Sequence, residues 1–157
     1  MKPAILLCFL LLAVPAYARL WETTQQIEAR YGKPIKATKP ESPATDAEVY
    51  EKNGFQITVG YYDGKSYYEE FRKPELNKPG HLQEITETER LYLLKANHIS
   101  EGYRALGNGH EGIYYQAYDG QPEAIYENRV FTIRSFQVEN QKDAEERKRE
   151  QENLKDF

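Results

Sequence analysis

The sequence is poor in cysteine, in net positive charge and in long apolar runs. Cys8 is the single cysteine among 157 residues, and it lies inside the N-terminal apolar run. The rest of the chain therefore forms no disulfide and no thiolate metal site. With 21 Lys and Arg residues against 25 Asp and Glu residues, the formal net charge is −4. A mildly acidic chain gains nothing from approaching phosphate backbones, which argues against nucleic acid as a partner.

Histidine is scarce as well, and the sequence has none of the familiar catalytic motifs. Its three histidines are not spaced as zinc ligands, and "GNGHEG" from Gly107 to Gly112 lacks the Lys-Ser/Thr of a phosphate-binding loop. No serine lies in a Gly-x-Ser-x-Gly context. We therefore predict a protein that is not an enzyme and has neither cofactor nor metal. One lesser alternative stays open, a small hydrolase that uses His110 and Glu111 of this loop.

The one apolar run, Ala4 to Val14, follows Lys2 and precedes small residues at Ala16 and Ala18. This order is typical of a secretory signal peptide, and a membrane-spanning helix needs roughly 20 apolar residues. We predict a signal peptide over 1–18 that is cleaved after Ala18. The mature protein is then secreted or periplasmic, with no membrane span, and its lack of cysteine favours a bacterial periplasm.

Two segments carry helix signals. In the first, Thr23 and Gln26 have the spacing of a capping box, and Gly32 ends the helix. In the second, Thr86 and Glu89 repeat that spacing, Asn97 ends the helix, and Leu91 and Leu94 are expected on its apolar face.

Each helix is followed by a long loop and then by short β-prone runs separated by turn pairs. The first set has turns at Asn53-Gly54 and Asp63-Gly64, and the second has turns at Asp119-Gly120 and Asn128-Arg129. Asn-Gly and Asp-Gly between such runs predict two-residue hairpin turns. Each half is therefore predicted to contain a three-stranded meander, over the following runs: 49–52, 55–62 and 65–72, then 114–118, 124–127 and 130–138.

The predicted fold class is α+β, with two tandem units of helix, loop and three-stranded antiparallel meander. A lone meander is marginally stable, so we expect the strands to form one sheet that helices cover on one face. The single domain spans 19–139, with half-repeats at about 20–72 and 84–139. The segment 140–157 is almost wholly polar, with opposite charges four residues apart, and is predicted to be a charged helix or tail.

The segments "TQQIE" from Thr24 to Glu28, "YGKP" from Tyr31 to Pro34 and "FQITVGYYDGK" from Phe55 to Lys65 carry a resemblance. The first half resembles the BamE/SmpA-like fold, and the duplicated chain resembles the β-lactamase-inhibitor-protein type of architecture. This resemblance implies a non-enzymatic protein that assists outer-membrane assembly or binds enzymes across its sheet. The lipid-attached cysteine of the assembly factors is absent, and no functional residues can be carried over.

The tyrosines remain as candidate contact residues. Neighbouring strand residues point to opposite faces, so each Tyr-Tyr pair turns one ring away from the covered face. With Phe55, Ile57, Val59 and Tyr61 assigned to the core, Tyr62 points outward, and an ideal Asp63-Gly64 turn adds Tyr67 to that outer face. A β-bulge would reverse part of this assignment. The predicted binding residues are Tyr62, Tyr67, Tyr103 and Tyr115.

Exposed tyrosines provide rigid amphipathic contact area for another protein. We therefore expect a secreted or periplasmic binding module that engages a protein partner through the open sheet face and the long loops. The same rings stack on sugars, so a glycan- or cell-wall-binding module is the alternative. The sequence leaves the partner and the oligomeric state open.

Overall fold

The structure is a computed structural model that describes residues 20–97, 103–109, 112–117, 123–135 and 147. These residues form two helices and one eight-stranded antiparallel sheet, so the predicted mixture of helix and antiparallel sheet is confirmed. The helices are α1 Thr24–Tyr31 and α2 Glu87–Ala96, and the strands are β1 Lys36–Thr38, β2 Asp46–Lys52, β3 Phe55–Tyr62, β4 Lys65–Arg72, β5 Tyr103–Gly109, β6 Gly112–Ala117, β7 Glu123–Glu127 and β8 Val130–Arg134. Neither helix of this described part is long and apolar enough to cross a membrane.

The strand order is β1-β2-β3-β4-β8-β7-β6-β5. Every neighbour in the sheet is also a neighbour in sequence, except at the pairing of β4 with β8. We call this pairing the seam; it runs from Tyr68 opposite Arg134 to Arg72 opposite Val130. The first strand of each set of four, β1 or β5, therefore lies at an edge of the sheet.

Three predicted turns form as the sequence indicates. Both residues of each pair have positive φ: 51° and 80° at Asn53-Gly54, 49° and 69° at Asp63-Gly64, and 50° and 65° at Asn128-Arg129. Two consecutive positive φ angles define the type I′ turn, whose twist matches that of the flanking strands. The predicted turn at Asp119-Gly120 lies outside the described residues.

Both predicted capping boxes are present. The Thr23 and Thr86 hydroxyls each accept from the backbone N–H three residues later, and the side chains of Gln26 and Glu89 accept from the N-cap N–H groups. The apolar face predicted for α2 is wrong in part, because Leu91 is 50% exposed. The helix instead buries Leu93 and Leu94 together with Arg90, whose side chain finds polar partners inside the protein.

The main core lies on the sheet face that the helices contact, here called the core face. As predicted for β3, Ile57, Val59 and Tyr61 share this face. Ile27 of α1 and Leu94 of α2 pack in the same cluster. The other buried members are Leu20, Tyr50, Phe71, Ile85, Leu93, Tyr115, Ala124, Phe131 and Ile133.

The sequence interpretation missed the two edge strands. β1 lies in the predicted loop after α1, and its three residues are all exposed, so it has no apolar alternation to reveal it. β5 lies in the Gly-rich segment interpreted as a loop, and it includes Gly107 and Gly109. Backbone pairing with β2 and β6 holds these segments extended. The predictions for 1–18, His110 with Glu111, and 140–157 apart from Arg147 lie outside the described residues.

Candidate functional site

Two of the predicted binding tyrosines come together on the outer face, the sheet face opposite the core face. Tyr67 and Tyr68 are buried there with Ala44, and Trp21 and Tyr62 pack against them. We call these five residues the tyrosine cluster. Its centre is closed, since Tyr67 is only 3% exposed. The expectation of an exposed Tyr67 is therefore wrong. Tyr62 lies at the rim of the cluster and is half-buried.

A β-bulge explains the burial of Tyr67. Tyr61 pairs with Ser66, whereas Gly60 pairs with Tyr68, so Tyr67 is the extra residue between the two pairs. The shift brings Tyr68 onto the outer face, where its ring lies directly over Gly60. The Tyr67 and Tyr68 rings meet edge to face, with centroids 5.9 Å apart. Burial is also the main reason that the pKa of Tyr68 is raised.

The other two predicted binding residues belong to the second set of strands. Tyr115 is buried in the main core, edge to face with Phe131, and its hydroxyl accepts from Arg90 Nε at 3.1 Å. It pairs with Ala124 on the core face and does not contribute to an exposed outer patch. Tyr103 begins the edge strand β5 and pairs with Ala117. The structure thus separates Tyr115 from Tyr62 and Tyr67.

The outer face carries a continuous row of half-buried residues across the seam. Strand pairing aligns, from β3 through β4, β8 and β7 to β6, Thr58, Glu70, Thr132, Ile125 and Tyr114. We call these five residues the outer row. Its β3, β4 and β8 positions carry hydroxyl and carboxyl groups, and its β7 and β6 positions carry the apolar Ile125 and the aromatic Tyr114. Burial is the largest cause that raises the pKa of Glu70, although Arg72 opposes this shift through an ion pair of 2.8 Å.

A buried ionic network holds α1 against β4. Glu69 is fully buried, and its two oxygens accept from Arg30 Nη1 at 2.8 Å and from the Tyr31 hydroxyl at 2.7 Å. Arg30 also forms an ion pair with Glu22. Because a buried charge is tolerated only when it is paired and hydrogen-bonded, this network is structural. Desolvation and the Glu69 charge raise the pKa of Tyr31 above its ordinary value.

A groove opens on the core face between α1 and α2. We call it the helix groove; its volume is about 450 Å³. Ile57 and Phe71 lie at its closed bottom, and Phe55 of β3 lies beside them. Its walls include Tyr31 at the end of α1 together with Tyr92 and Leu93 of α2. The groove exists because two helices of eight and ten residues leave part of this wide sheet uncovered.

One polar atom of the helix groove stands out. Asn97 ends α2, is 3% exposed and lines the groove. Its amide Nδ2 donates to the Leu93 carbonyl at 3.0 Å, but its buried Oδ1 has no hydrogen-bond partner among the described residues. A buried acceptor without a partner costs about 1–3 kcal/mol. The sequence marks Asn97 only as a helix terminator, and the spacing of the neighbouring residues gives no sign of its buried oxygen.

Comparison of the chain with protein-family models, with curated proteins and with solved structures found no match. Within the described ranges, no group of three or more His, Cys, Asp and Glu side chains is placed to hold a metal ion. The candidate sites are therefore defined by geometry alone. They are the outer row and the helix groove, on opposite faces of the sheet.

Proposed function

We propose that the chain is a non-enzymatic, secreted or periplasmic module that binds a protein partner through the outer face of its sheet. The single observation that carries this proposal is the outer row. Five half-buried side chains from five neighbouring strands form one continuous strip across the seam. Such a strip, in which apolar and aromatic side chains continue into polar ones, has the character of a protein–protein interface.

The chemistry of the outer face, with its tyrosine cluster and its outer row, favours a protein over a glycan. The rings of Tyr67 and Tyr68 are buried against each other and are not free to stack on a sugar. Ile125 and Tyr114 provide apolar contact area, while Glu70 with its partner Arg72 provides a directional polar pair. A protein partner can bury the apolar area and at the same time hydrogen-bond to the neighbouring ion pair.

We further propose that the two halves of the chain are a tandem duplication. Each half has a capped helix followed by a meander, and the edge position of β1 and β5 supports this relation. The resemblance to the BamE/SmpA-like fold and to the β-lactamase-inhibitor-protein architecture is consistent with the same proposal. In that architecture a sheet face binds another protein, which agrees with the role proposed for the outer row.

Site-specific photo-crosslinking tests the binding face. A benzophenone amino acid is placed at position 132, in the outer row, or at position 91, on the exposed side of α2. The mature protein is then irradiated with an envelope and secreted-protein extract of the source organism. We expect a discrete protein adduct from position 132 and none from position 91, because α2 packs on the other face of the sheet.

A matched pair of substitutions measures the contribution of the row. Ile125→Glu should weaken binding of the crosslinked partner at least tenfold, because it introduces a charge into the proposed interface. Leu91→Glu places the same charge on α2 and should leave capture unchanged. Equal adducts from both positions, or unchanged capture by an Ile125→Glu protein of wild-type Tm, would refute the proposal.

A further inference from the structure

We infer that the helix groove is a binding site for a small, neutral molecule with an apolar body and one hydrogen-bond donor. The groove lies on the core face, so this site is separate from the protein contact proposed for the outer face. Its volume of about 450 Å³ falls in the range of small-molecule pockets. Three properties of its lining define the ligand.

The first property is an apolar surface. Phe55, Tyr31 and Leu93 present aromatic and aliphatic groups along the groove, and Tyr92 extends the wall outward. Tyr92 is 72% exposed, which leaves a large ring beside the opening with little protein contact. A ligand that packed against this ring would remove apolar area from water on both sides of the contact. The surface therefore selects an apolar body.

The second property is that the charged groups around the groove already have partners. Arg30 pairs with Glu22 and Glu69, and Lys52 donates to the Arg30 carbonyl. Glu89 pairs with Lys73 at 2.7 Å. A charged ligand would compete with these pairs and would also lose its own hydration. The lining therefore favours a neutral ligand.

The third property is the acceptor Asn97 Oδ1, which has no hydrogen-bond partner within the described part of the chain. Its amide Nδ2 donates to the Leu93 carbonyl, and its Oδ1 is closed off from solvent in this structure. A site with a buried polar group discriminates strongly against ligands that cannot satisfy it. One donor on the ligand, such as a secondary amine N–H, an amide N–H or a hydroxyl, would hydrogen-bond to this oxygen once a rotation of the Asn97 side chain turns it into the groove.

The probe that matches these properties is N-phenyl-1-naphthylamine, which is neutral, aromatic and carries one N–H. Its fluorescence increases on transfer from water to an apolar site. We expect saturable binding to the mature wild-type protein with one site per chain. A fluorescence increase that does not saturate, or that saturates at several probes per chain, would overturn the inference.

Two tryptophan variants on α2 locate the site. Ala96 lines the groove, whereas the neighbouring Lys95 is exposed and does not. Ala96→Trp should fill the groove and weaken probe binding at least tenfold, and Lys95→Trp should leave it within twofold. If Ala96→Trp lowers Tm substantially, a shorter side chain in Ala96→Leu replaces it. Equal binding by the Lys95 and Ala96 variants would place the probe elsewhere and overturn the inference.

The acceptor is tested by removing the donor from the probe. In 1-phenoxynaphthalene an ether oxygen replaces the N–H, and displacement of the fluorescent probe reports its affinity. We expect it to bind about tenfold more weakly to the wild-type protein, the effect of one buried hydrogen bond. In Asn97→Leu this difference should disappear. Equal affinities of the two compounds for the wild-type protein would overturn the role of Asn97, without any bearing on the outer row.

Discussion

Gly60 decides how β3 and β4 pack on the outer face. A Cβ atom built on Gly60 would lie 2.0 Å from Cε1 of Tyr68. That ring is itself confined, since Tyr68 is only 6% exposed and packs in the tyrosine cluster. The residue with no side chain thus makes room for the Tyr68 ring of the neighbouring strand.

Gly60→Ala should lower the free energy of unfolding by about 1–3 kcal/mol, the usual cost of overpacking a filled site. The measurement is urea unfolding followed by circular dichroism. Tyr68→Ala provides the matched background, because removal of the ring removes the clash. The cost of Gly60→Ala should fall below about 1 kcal/mol in that background, and an equal cost in both backgrounds would contradict this explanation.

At the residue scale, the sequence predicts the core members better than the contact residues. The alternation of side chains along β3 alone assigns Ile57, Val59 and Tyr61 to the core, and the structure confirms this assignment. The position of Tyr67 depends on a one-residue bulge that the turn pair does not encode. Likewise, Asn97 Oδ1 is buried without a partner among the described residues, and this is a property of packing and not of local sequence.

At the scale of elements, the helix ends are the most predictable features. Both capping boxes follow from side chains three residues apart, and this geometry is local. The edge strands are the least predictable, because β1 and β5 owe their extended form to pairing with β2 and β6. Thus hydrogen bonds between residues close in sequence can be predicted from the sequence. Strands that are held by pairing with another strand cannot.

The cap of α2 gives a prediction at this scale. Thr86→Ala removes the hydroxyl that accepts from the Glu89 N–H and should lower the free energy of unfolding by about 1 kcal/mol. Thr86→Ser keeps the hydroxyl and is the control, with an expected change of less than about 0.5 kcal/mol. Thermal unfolding of the three proteins checks the order, and a Thr86→Ser protein as unstable as Thr86→Ala would contradict a capping role.

At the scale of the whole molecule, buried tyrosines link stability to alkaline pH. Burial is the largest cause that raises the pKa values of Tyr31, Tyr50 and Tyr61 well above the ordinary 10.0. Hydrogen bonds of the Tyr50 hydroxyl, to Glu48 and with the Tyr61 hydroxyl at 2.8 Å, accompany that burial. The unfolded chain therefore ionises first as the pH rises.

The contribution of these tyrosines to the free energy of unfolding should therefore be constant below about pH 10. Above that pH the free energy of unfolding should fall as the pH rises. Each such tyrosine contributes a slope of about 1.4 kcal/mol per pH unit until its native pKa is reached. Urea unfolding from about pH 9 upward measures this slope. Tyr50→Phe should reduce the slope, while Tyr92→Phe, at an exposed position, should not. Equal slopes in both variants would contradict the assignment.

The seam has a kinetic consequence. Every other strand pair joins neighbours in sequence, and those with short connections can close as hairpins within microseconds. The seam instead joins Arg72 to Val130, so its closure must bring together two distant parts of the chain. We expect the hairpins to form early and the seam to set the folding rate. Mutations in β4 or β8 that weaken the seam should therefore slow folding, whereas mutations in β1 should mainly accelerate unfolding.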